Sequence, residues 1–362
     1  STIIIDGFSG EVVVDPDEVT IAAYRTKQRQ AEAYRERLGD LLREPAVTRD
    51  GVHVTLMANI DAPDHVHAAV AAGCEGIGLV RTEMLLVRLG RYPTLEEETA
   101  SYTEIADRIY PKTVTFRAFD VGSDKFRDGI PHHEENPALG LRGIRFLLYR
   151  PDIFEQQVTA ILRASANRNV RFMLPMISTM EELDQAKAVI ARCKAALTEE
   201  GVDFDPDLPI GVMIETPAAA LLAPSFATQV DFFSIGTNDL AQYTLATDRT
   251  NELVADIFDA MHPAVLRLIR YAVDAARDAG ISVSVCGELA GHAAATEILI
   301  GAGITELSVA PPLILELKHR IRGLDHVASV ALVNDVTLLS STTDVYSYMS
   351  AMQSARDGGD PL

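Results

Sequence analysis

Several residues that could do chemistry follow short apolar stretches of the chain. Cys286 ends a predicted buried strand, Ser282–Val285, and opens a Gly-Glu-x-x-Gly turn. Other polar side chains in comparable places are Arg81, Arg117, Glu215, Asn238 and Asp239. In α/β enzymes the carboxyl ends of parallel strands meet at one edge and carry the active site. The sequence therefore predicts that these side chains lie together.

Four arginines near these positions indicate an anionic ligand: Arg81, Arg117, Arg142 and Arg249. Guanidinium binds phosphate and carboxylate through paired hydrogen bonds and keeps its charge. The formal net charge of the chain is −20, which argues against nucleic acid or an anionic membrane as the main partner. Several arginines together favour a ligand with two or more negative charges, such as a phosphorylated carboxylic acid.

Two carboxylates, Glu215 and Asp239, end neighbouring predicted strands. Mg²⁺ is usually held by one or two carboxylates, with water and substrate oxygens completing its coordination. Together with the arginines, the metal would offset charge on a phosphoryl group during its transfer. We therefore expect a Mg²⁺ site here.

Cys286 could act in this setting as a nucleophile or as an acid. No histidine at a strand end pairs with it, and His292, at a helix start, lies too far along the chain to be its base. We therefore favour a proton donor. Cys74 and Cys193 lie on helical patterns and are assigned to the core. Because the three cysteines have no CxxC spacing, we expect neither a disulfide framework nor a zinc site. The expected compartment is a reducing cytoplasm.

Each site residue also has a plainer structural explanation. Cys286 could be a small core residue, and Glu215 could cap the helix that follows it. The recurrence of such residues at strand ends nevertheless favours one site. Asn238 and Asp239 could simply be turn residues. Arg142 could be an ordinary helix-start residue, and Arg249 could form a surface ion pair.

Eight βα units are predicted after residue 50, because apolar strands alternate with helical patterns. Such strands indicate a parallel sheet covered on both sides, and eight units indicate a closed (β/α)8 TIM barrel. An open doubly wound sheet is less favoured, since no Gly-x-Gly-x-x-Gly follows the first strand. The predicted strands are 52–60, 76–80, 113–120, 170–177, 210–216, 232–240, 282–286 and 306–310.

The segments that flank the barrel have their own predicted roles. Residues 1–15 read as a hairpin, residues 16–46 as a largely polar linker helix that runs to about Arg43, and residues 47–322 as the barrel. Residues 323–362 form a helical extension with segments at 325–337 and 341–352. No apolar run is long enough to span a bilayer.

Seven stretches of the chain have the character of family motifs: GIGLVRTEMLL (76–86), FRAFDVGSDK (116–125), NPALGLRGIR (136–145), GVMIETPAA (211–219), FFSIGTNDLAQYTLATDR (232–249), MHPAVLRLI (261–269) and VCGELAG (285–291). Together they resemble the phosphoenolpyruvate-binding domain of the Enzyme I family, the phosphoenolpyruvate–protein phosphotransferases of the bacterial sugar phosphotransferase system. The resemblance covers about residues 1–350. Pyruvate phosphate dikinase and phosphoenolpyruvate synthase share the barrel, but the dikinase motif resembles CGEHGG rather than CGELAG.

The resemblance implies a role for each candidate residue. Glu215 and Asp239 would ligate Mg²⁺, and Cys286 would protonate the enolpyruvate carbon to give pyruvate. The family also forms a homodimer through the barrel. The residues that would contact phosphoenolpyruvate are Arg81, Arg117, Arg249, Asn238 and Asp239, with Arg142 and Lys125 as further basic positions.

The chain also departs from the family pattern. Ser123 stands where a glycine is usual, Leu141 stands where an aromatic residue is common, and the Ala310-Pro311-Pro312 turn is less typical. No histidine lies in a Thr-x-x-Ser-His-x-Ala motif, the phosphoryl acceptor of the family, and the hairpin resembles the tail of that histidine domain. His132-His133-Glu134-Glu135 is taken as solvated.

We therefore expect a truncated or separately made barrel half that binds Mg²⁺ and phosphoenolpyruvate but does not turn over alone. Its phosphoryl acceptor, and the domain that docks the phosphocarrier protein, would lie in another part of the enzyme. The chain could instead be a dikinase or synthase barrel, or a binding module that senses phosphoenolpyruvate without chemistry.

Overall fold

The computed structural model describes residues 2–6, 10–122 and 134–356. The chain divides into two compact units, Ser1–Pro45 and Ala46–Leu362. The division follows the change in sequence pattern, since the short apolar strands that build a parallel barrel begin only in the second unit.

The smaller unit is an antiparallel hairpin followed by one helix. The side chain of Asp17 accepts a hydrogen bond from the Thr20 backbone N–H at 2.7 Å and so caps the start of the helix. The helix ends at Gly39 rather than near Arg43, because glycine disfavours helix continuation and the backbone tightens there into turns. The elements are β1 (Ile3–Asp6), β2 (Glu11–Val14) and α1 (Glu18–Gly39).

The larger unit contains a closed barrel of eight parallel strands, which confirms the predicted (β/α)8 fold. The order around the barrel is β10-β3-β4-β5-β6-β7-β8-β9, so each strand pairs with the next in the chain. The strands are β3 (Thr55–Ile60), β4 (Gly76–Arg81), β5 (Val114–Arg117), β6 (Val170–Leu174), β7 (Ile210–Ile214), β8 (Phe232–Ile235), β9 (Ser282–Val285) and β10 (Glu306–Val309).

Helices alternate with these strands and extend beyond the last of them. None of the described helices is both long and apolar enough to cross a membrane. The two predicted C-terminal segments are present as the last two helices. In chain order the helices are α2 (His65–Ala71), α3 (Glu83–Leu89), α4 (Leu95–Ile109), α5 (Ile144–Tyr149), α6 (Pro151–Ala164), α7 (Met180–Glu200), α8 (Pro217–Leu221), α9 (Ala223–Phe226), α10 (Thr237–Leu245), α11 (Pro263–Ala279), α12 (Ala295–Gly301), α13 (Ile314–Gly323), α14 (His326–Val336) and α15 (Thr342–Arg356).

Large apolar side chains fill the space between strands and helices. Phe116, Phe172 and Phe233 lie on strands and are fully buried, as is Phe154 on α6. Burial of each such side chain contributes roughly 1.5–3 kcal/mol. This packing fixes the strands, and therefore fixes where the residues at their carboxyl ends are held.

The predicted strand 232–240 is shorter than expected. Strand β8 stops one residue before Gly236, and α10 begins one residue after it. A Cβ atom at Gly236 would lie 2.8 Å from Glu215 Oε2, so a larger residue does not fit without movement. Asn238 and Asp239 consequently lie in the first turn of α10 rather than on a strand.

Helix α4 buries a carboxyl group beside α6. Glu98 has no exposed surface, and Gln156 Nε2 donates a hydrogen bond to its Oε1 at 2.8 Å. Burial raises the pKa of Glu98 to about 8. The neutral acid is therefore the main form in the folded protein at pH 7.

This raised pKa predicts a pH-dependent stability. The contribution of Glu98 is fully present below its ordinary pKa of 4.5 and is lost as the pH rises through about 8. We expect Glu98→Gln to raise the free energy of unfolding by roughly 2–5 kcal/mol at pH 9, and by much less at pH 5. Urea unfolding at both pH values measures this. Glu96→Gln on the exposed side of α4 is the matched control, and equal pH dependence of Glu98→Gln and wild type would contradict a neutral Glu98.

Candidate active site

The carboxyl ends of the strands bring most of the predicted residues to one edge of the barrel. Arg81 and Arg117 are the last residues of β4 and β5 and stand opposite each other in the register. Glu215 directly follows β7, and Cys286 directly follows β9. The barrel register therefore gathers residues that are far apart in the sequence.

One buried arginine, one partly buried arginine and their carboxylates form the centre of this edge. Arg117 Nη2 pairs with Glu83, and Arg117 Nη1 lies 3.4 Å from Asp120 Oδ2. Arg142 Nη2 lies 2.8 Å from the same Asp120 oxygen, and Arg142 Nη1 lies 3.2 Å from Asp239 Oδ1. Asp120 thus joins the two guanidinium groups. These partners show that Arg142 is more than an ordinary helix-start residue.

Both arginines keep their charge despite burial. Burial lowers the pKa of Arg117, but the carboxylates of Glu83 and Asp120 outweigh it and raise that pKa overall. The pKa of Arg142 is raised in the same way, against its burial, by Asp120 and Asp239. The edge therefore offers fixed positive charge to an anionic ligand.

Carboxylates nevertheless outnumber arginines in this cluster. When all of the groups are ionised, four carboxylates face two guanidinium groups, a surplus of two negative charges among the described side chains. Such a surplus is costly in a buried site unless a cation offsets it or a proton is taken up. The carboxylates are the buried Glu83, Asp120, Glu215 and Asp239, and the guanidinium groups are those of the buried Arg117 and the partly buried Arg142.

Glu215 carries the clearest sign of this surplus. Burial, together with the charges of Asp239 and Asp120, raises the pKa of Glu215 to about 8. Its Oε1 accepts a hydrogen bond from the Met176 backbone N–H at 2.7 Å. Thr216, rather than Glu215, caps helix α8, so the helix-cap explanation for Glu215 is wrong.

These carboxylates fit a divalent cation. Among the described residues, no group of three or more His, Cys, Asp or Glu side chains is arranged to hold a metal ion. A metal here would rely on Glu215 and Asp239 and on oxygens of water and ligand. Mg²⁺ is commonly bound in this way.

Cys286 lies at the same edge and keeps its proton. Its side chain is buried, and burial raises the pKa of the thiol to about 11, although a hydrogen bond from Ser234 and the charge of Arg117 act to lower it. Ser234 Oγ donates to the sulfur at 3.3 Å. A neutral thiol is suited to give up a proton, whereas the nucleophilic form of cysteine is the thiolate.

Two glycine-containing turns are locked together beside Cys286. Asn238 Nδ2 donates to Glu288 Oε1 at 3.0 Å, and the Glu288 backbone N–H donates to Asn238 Oδ1 at 3.0 Å. A Cβ atom at Gly287 would lie 2.1 Å from Thr237 Oγ1, so a larger residue would separate the two turns. This contact sets the position of Asn238 relative to the thiol.

Two of the predicted residues that the structure describes, Arg81 and Arg249, are not joined to this cluster. Arg81 is half exposed and forms a two-point ion pair with Asp61 at 2.7 and 2.9 Å. Arg249 is exposed, and no hydrogen bond or ion pair links its guanidinium to another of the described residues. Lys125 lies outside the described residues, as do Ser123 and the pair His132-His133.

Sequence reasoning assigned no role to four residues that build the cluster. Glu83 and Asp120 stand at strand ends in the sequence, and their spacing near Arg81 and Arg117 is the signal that could have found them. Ser234 and Tyr243 had no such signal. The Tyr243 hydroxyl accepts a hydrogen bond from Arg142 Nη1 at 3.1 Å and donates one to the Ala138 backbone carbonyl.

Comparison with known proteins decides the family. The model for the "PEP-utilising enzyme, PEP-binding domain" matches residues 35–326. The chain belongs to this family of PEP-utilising enzymes. The phosphoenolpyruvate-protein phosphotransferase of Cupriavidus necator is 44% identical over 323 residues, which are 88% of this chain and 55% of that protein. The protein of the same name from Geobacillus stearothermophilus is 41% identical over 351 residues, 96% of this chain and 60% of that protein.

This PEP-utilising chain thus spans less than two thirds of the length of the curated relatives it matches. Its fold is also found in distant proteins. A solved structure of Haloferax volcanii malate synthase, in a magnesium and glyoxylate complex, aligns with 76% of each chain at a TM-score of 0.50 and 14% identity. At that identity the likeness is evidence for the barrel fold alone.

Proposed function

We propose that this chain is the phosphoenolpyruvate-binding part of a phosphoenolpyruvate–protein phosphotransferase. The whole enzyme would move the phosphoryl group of phosphoenolpyruvate to one of its histidines, then to a phosphocarrier protein, and release pyruvate at the start of sugar uptake. It would act in the cytoplasm as a homodimer. In this proposal residues 1–15 belong to the histidine domain, residues 16–46 link it, residues 47–322 bind the substrate and residues 323–362 extend the barrel.

The observation that carries the proposal is the buried cluster at the strand ends, next to a protonated thiol. Two fixed guanidinium groups suit the phosphate and carboxylate of phosphoenolpyruvate. The surplus of carboxylates suits Mg²⁺. The names of the two relatives support the same reaction class.

The residues of the chain would act first by binding and orienting the substrate. Arg117 and Arg142 supply fixed charge, and Asn238 and Asp239 contact the substrate from the first turn of α10. Arg81 and Arg249 reach it from the rim, and Lys125 adds a further positive charge. Mg²⁺, held by Glu215 and Asp239, would offset charge on the phosphoryl oxygens.

Cys286 would complete the reaction as a proton donor. The bond between phosphorus and the enol oxygen breaks as phosphorus bonds to a histidine nitrogen, and the enolate of pyruvate remains. The electron pair of the enolate carbon–carbon double bond then takes the thiol proton, which gives pyruvate. The electron pair of the S–H bond stays on sulfur, which becomes a thiolate. Water afterwards returns a proton to the sulfur.

Phosphoryl transfer from labelled substrate tests this function. We expect the chain, mixed with the part of the Geobacillus stearothermophilus relative that it does not cover, to transfer ³²P from phosphoenolpyruvate to a histidine of that part. Failure of this transfer, with ATP formed from phosphoenolpyruvate, AMP and pyrophosphate by the full-length enzyme, would favour a dikinase. Tight binding of phosphoenolpyruvate with no labelled histidine, although both pieces fold, would favour a sensing module and contradict the proposal.

The metal site makes a separate prediction. Glu215→Gln removes one of two carboxylate ligands, so we expect the Mg²⁺ affinity measured at saturating phosphoenolpyruvate to fall about 10- to 100-fold. Calorimetric titration with Mg²⁺ measures this. Glu181→Gln, on the exposed first turn of α7, is the matched control and should bind like wild type. Unchanged Mg²⁺ binding by Glu215→Gln would remove this residue from the metal site.

A further inference from the structure

Two buried serines lie directly beneath the thiol inside the barrel. Ser234 on β8 and Ser284 on β9 are partners in the strand register, and both are buried. Ser284 Oγ donates to Ser234 Oγ at 3.0 Å, and Ser234 Oγ donates to Cys286 Sγ at 3.3 Å. The two hydroxyls therefore form a short chain that ends on the sulfur.

The direction of this chain follows from its donors and acceptors. Ser284 Oγ lies 3.0 Å from Ser234 Oγ and 3.5 Å from the Phe233 carbonyl oxygen, so the shorter contact directs its proton to Ser234 and leaves the Ser234 proton available for the sulfur. The thiol's own contact with the Ile235 carbonyl oxygen is long, at 3.8 Å. The sulfur is thus held mainly as an acceptor, and its proton is only weakly engaged.

The other side chains around the Cys286 sulfur differ in kind from the Ser234 hydroxyl. Leu79, Met173, Met213 and Phe232 pack with Cys286 in a small apolar cluster. The charged groups that act on the thiol are Arg117 and Glu215, of opposite sign. Among the described residues, Ser234 is the one whose hydroxyl donates a hydrogen bond to the sulfur.

We propose that Ser234, supported by Ser284, is a positioning residue that orients the Cys286 sulfur and stabilises the thiolate left when the proton departs. The idea rests on the proposed function of Cys286 as proton donor. When the S–H bond breaks, its electron pair stays on sulfur while the proton bonds to the substrate carbon. A hydrogen bond to an ionised acceptor is roughly twice as strong as one to a neutral acceptor. The Ser234 contact therefore strengthens as the proton leaves, which lowers the barrier.

The pKa of the thiol agrees in direction with this role. The hydrogen bond from Ser234 lowers the pKa of Cys286, although burial raises it to about 11 overall. Removal of the Ser234 hydroxyl should therefore raise the pKa of Cys286, and this effect should be visible in the ligand-free protein.

Alkylation of the ligand-free protein tests the proposal. Iodoacetamide reacts with the thiolate, and mass spectrometry of the Cys286 peptide separates it from Cys74 and Cys193. Between pH 7 and 10 we expect Ser234→Ala to react about tenfold more slowly than wild type at each pH, and Ser284→Ala about threefold more slowly. Ser165→Ala, at a buried serine after α6 that instead donates to the Leu162 carbonyl oxygen, is the matched control and should react like wild type.

Two further measurements keep the outcomes distinct. Ser234→Thr retains a hydroxyl and should restore the rate, and reaction in urea should be equal for all variants. If Ser234→Ala does not fold, the slower reaction of Ser284→Ala carries the test. Coincident pH profiles for wild type, Ser234→Ala and Ser284→Ala would overturn the proposal. Normal pyruvate formation by Cys286→Ala would contradict the donor role of Cys286 but not the contact between Ser234 and the sulfur, because the alkylation contains no phosphoenolpyruvate. A shifted alkylation profile with normal pyruvate formation by Ser234→Ala would overturn the stabilisation of the thiolate during the reaction.

Discussion

Replacement of Cys286 by alanine is expected to slow pyruvate formation about 10²- to 10⁴-fold, the usual contribution of a positioned acid. The affinity for phosphoenolpyruvate should change less than about threefold, because the substitution leaves untouched the guanidinium groups that we propose bind the substrate. The rate is measured as pyruvate release by the chain mixed with the part of the Geobacillus stearothermophilus relative that it does not cover. Calorimetry gives the affinity.

The matched control is Cys193→Ala, which removes a buried thiol from helix α7. It should leave both rate and affinity unchanged. A large loss of affinity in Cys286→Ala at a normal catalytic rate would mean that the thiol contacts the ligand or supports the fold, rather than donating a proton.

Replacement of Arg117 by methionine is expected to have the largest effect on stability. Arg117 is buried with Glu83 and Asp120. Its Nη2 pairs with Glu83 Oε1, and Glu83 Oε2 has no hydrogen-bond partner among the described residues. Removal of one member of a buried ion pair costs about 3–5 kcal/mol, because the partner charge is left uncompensated. The variant should also lose phosphoenolpyruvate binding. Urea unfolding and calorimetry measure the two effects.

A second substitution separates the charge effect from simple loss of packing. Arg117→Met combined with Glu83→Gln should recover much of the lost stability but none of the binding. Arg145→Met is the matched control: Arg145 is more exposed and pairs with Glu182 at 3.3 Å, so the change should cost at most about 1 kcal/mol. Equal destabilisation by Arg117→Met and Arg145→Met would contradict the buried cluster.

The barrel and the position of its active edge could be predicted because both follow from local patterns. Apolar strands alternate with helices, and polar residues follow the strands, so the edge can be located without knowing any distance. Arg117, Glu215 and Cys286 illustrate this, since each lies where its strand ends.

The partners of these residues could not be predicted, because contacts across loops depend on register and packing. Asp120 bridges Arg117 and Arg142, although 22 positions of the sequence separate it from Arg142. Glu98 is indistinguishable in sequence from Glu96 and Glu97, yet it alone of the three is buried. Burial of this kind is set by the neighbouring helix and has no local signal.

A calorimetric titration of phosphoenolpyruvate into the chain, with and without Mg²⁺, tests the central claim most directly. A surplus of buried carboxylates beside fixed arginines predicts saturable binding with Mg²⁺, and affinity at least tenfold weaker when EDTA removes the metal. Equal affinity with and without Mg²⁺ would contradict the metal site. No binding in either condition, by a folded chain, would contradict the phosphoenolpyruvate site itself.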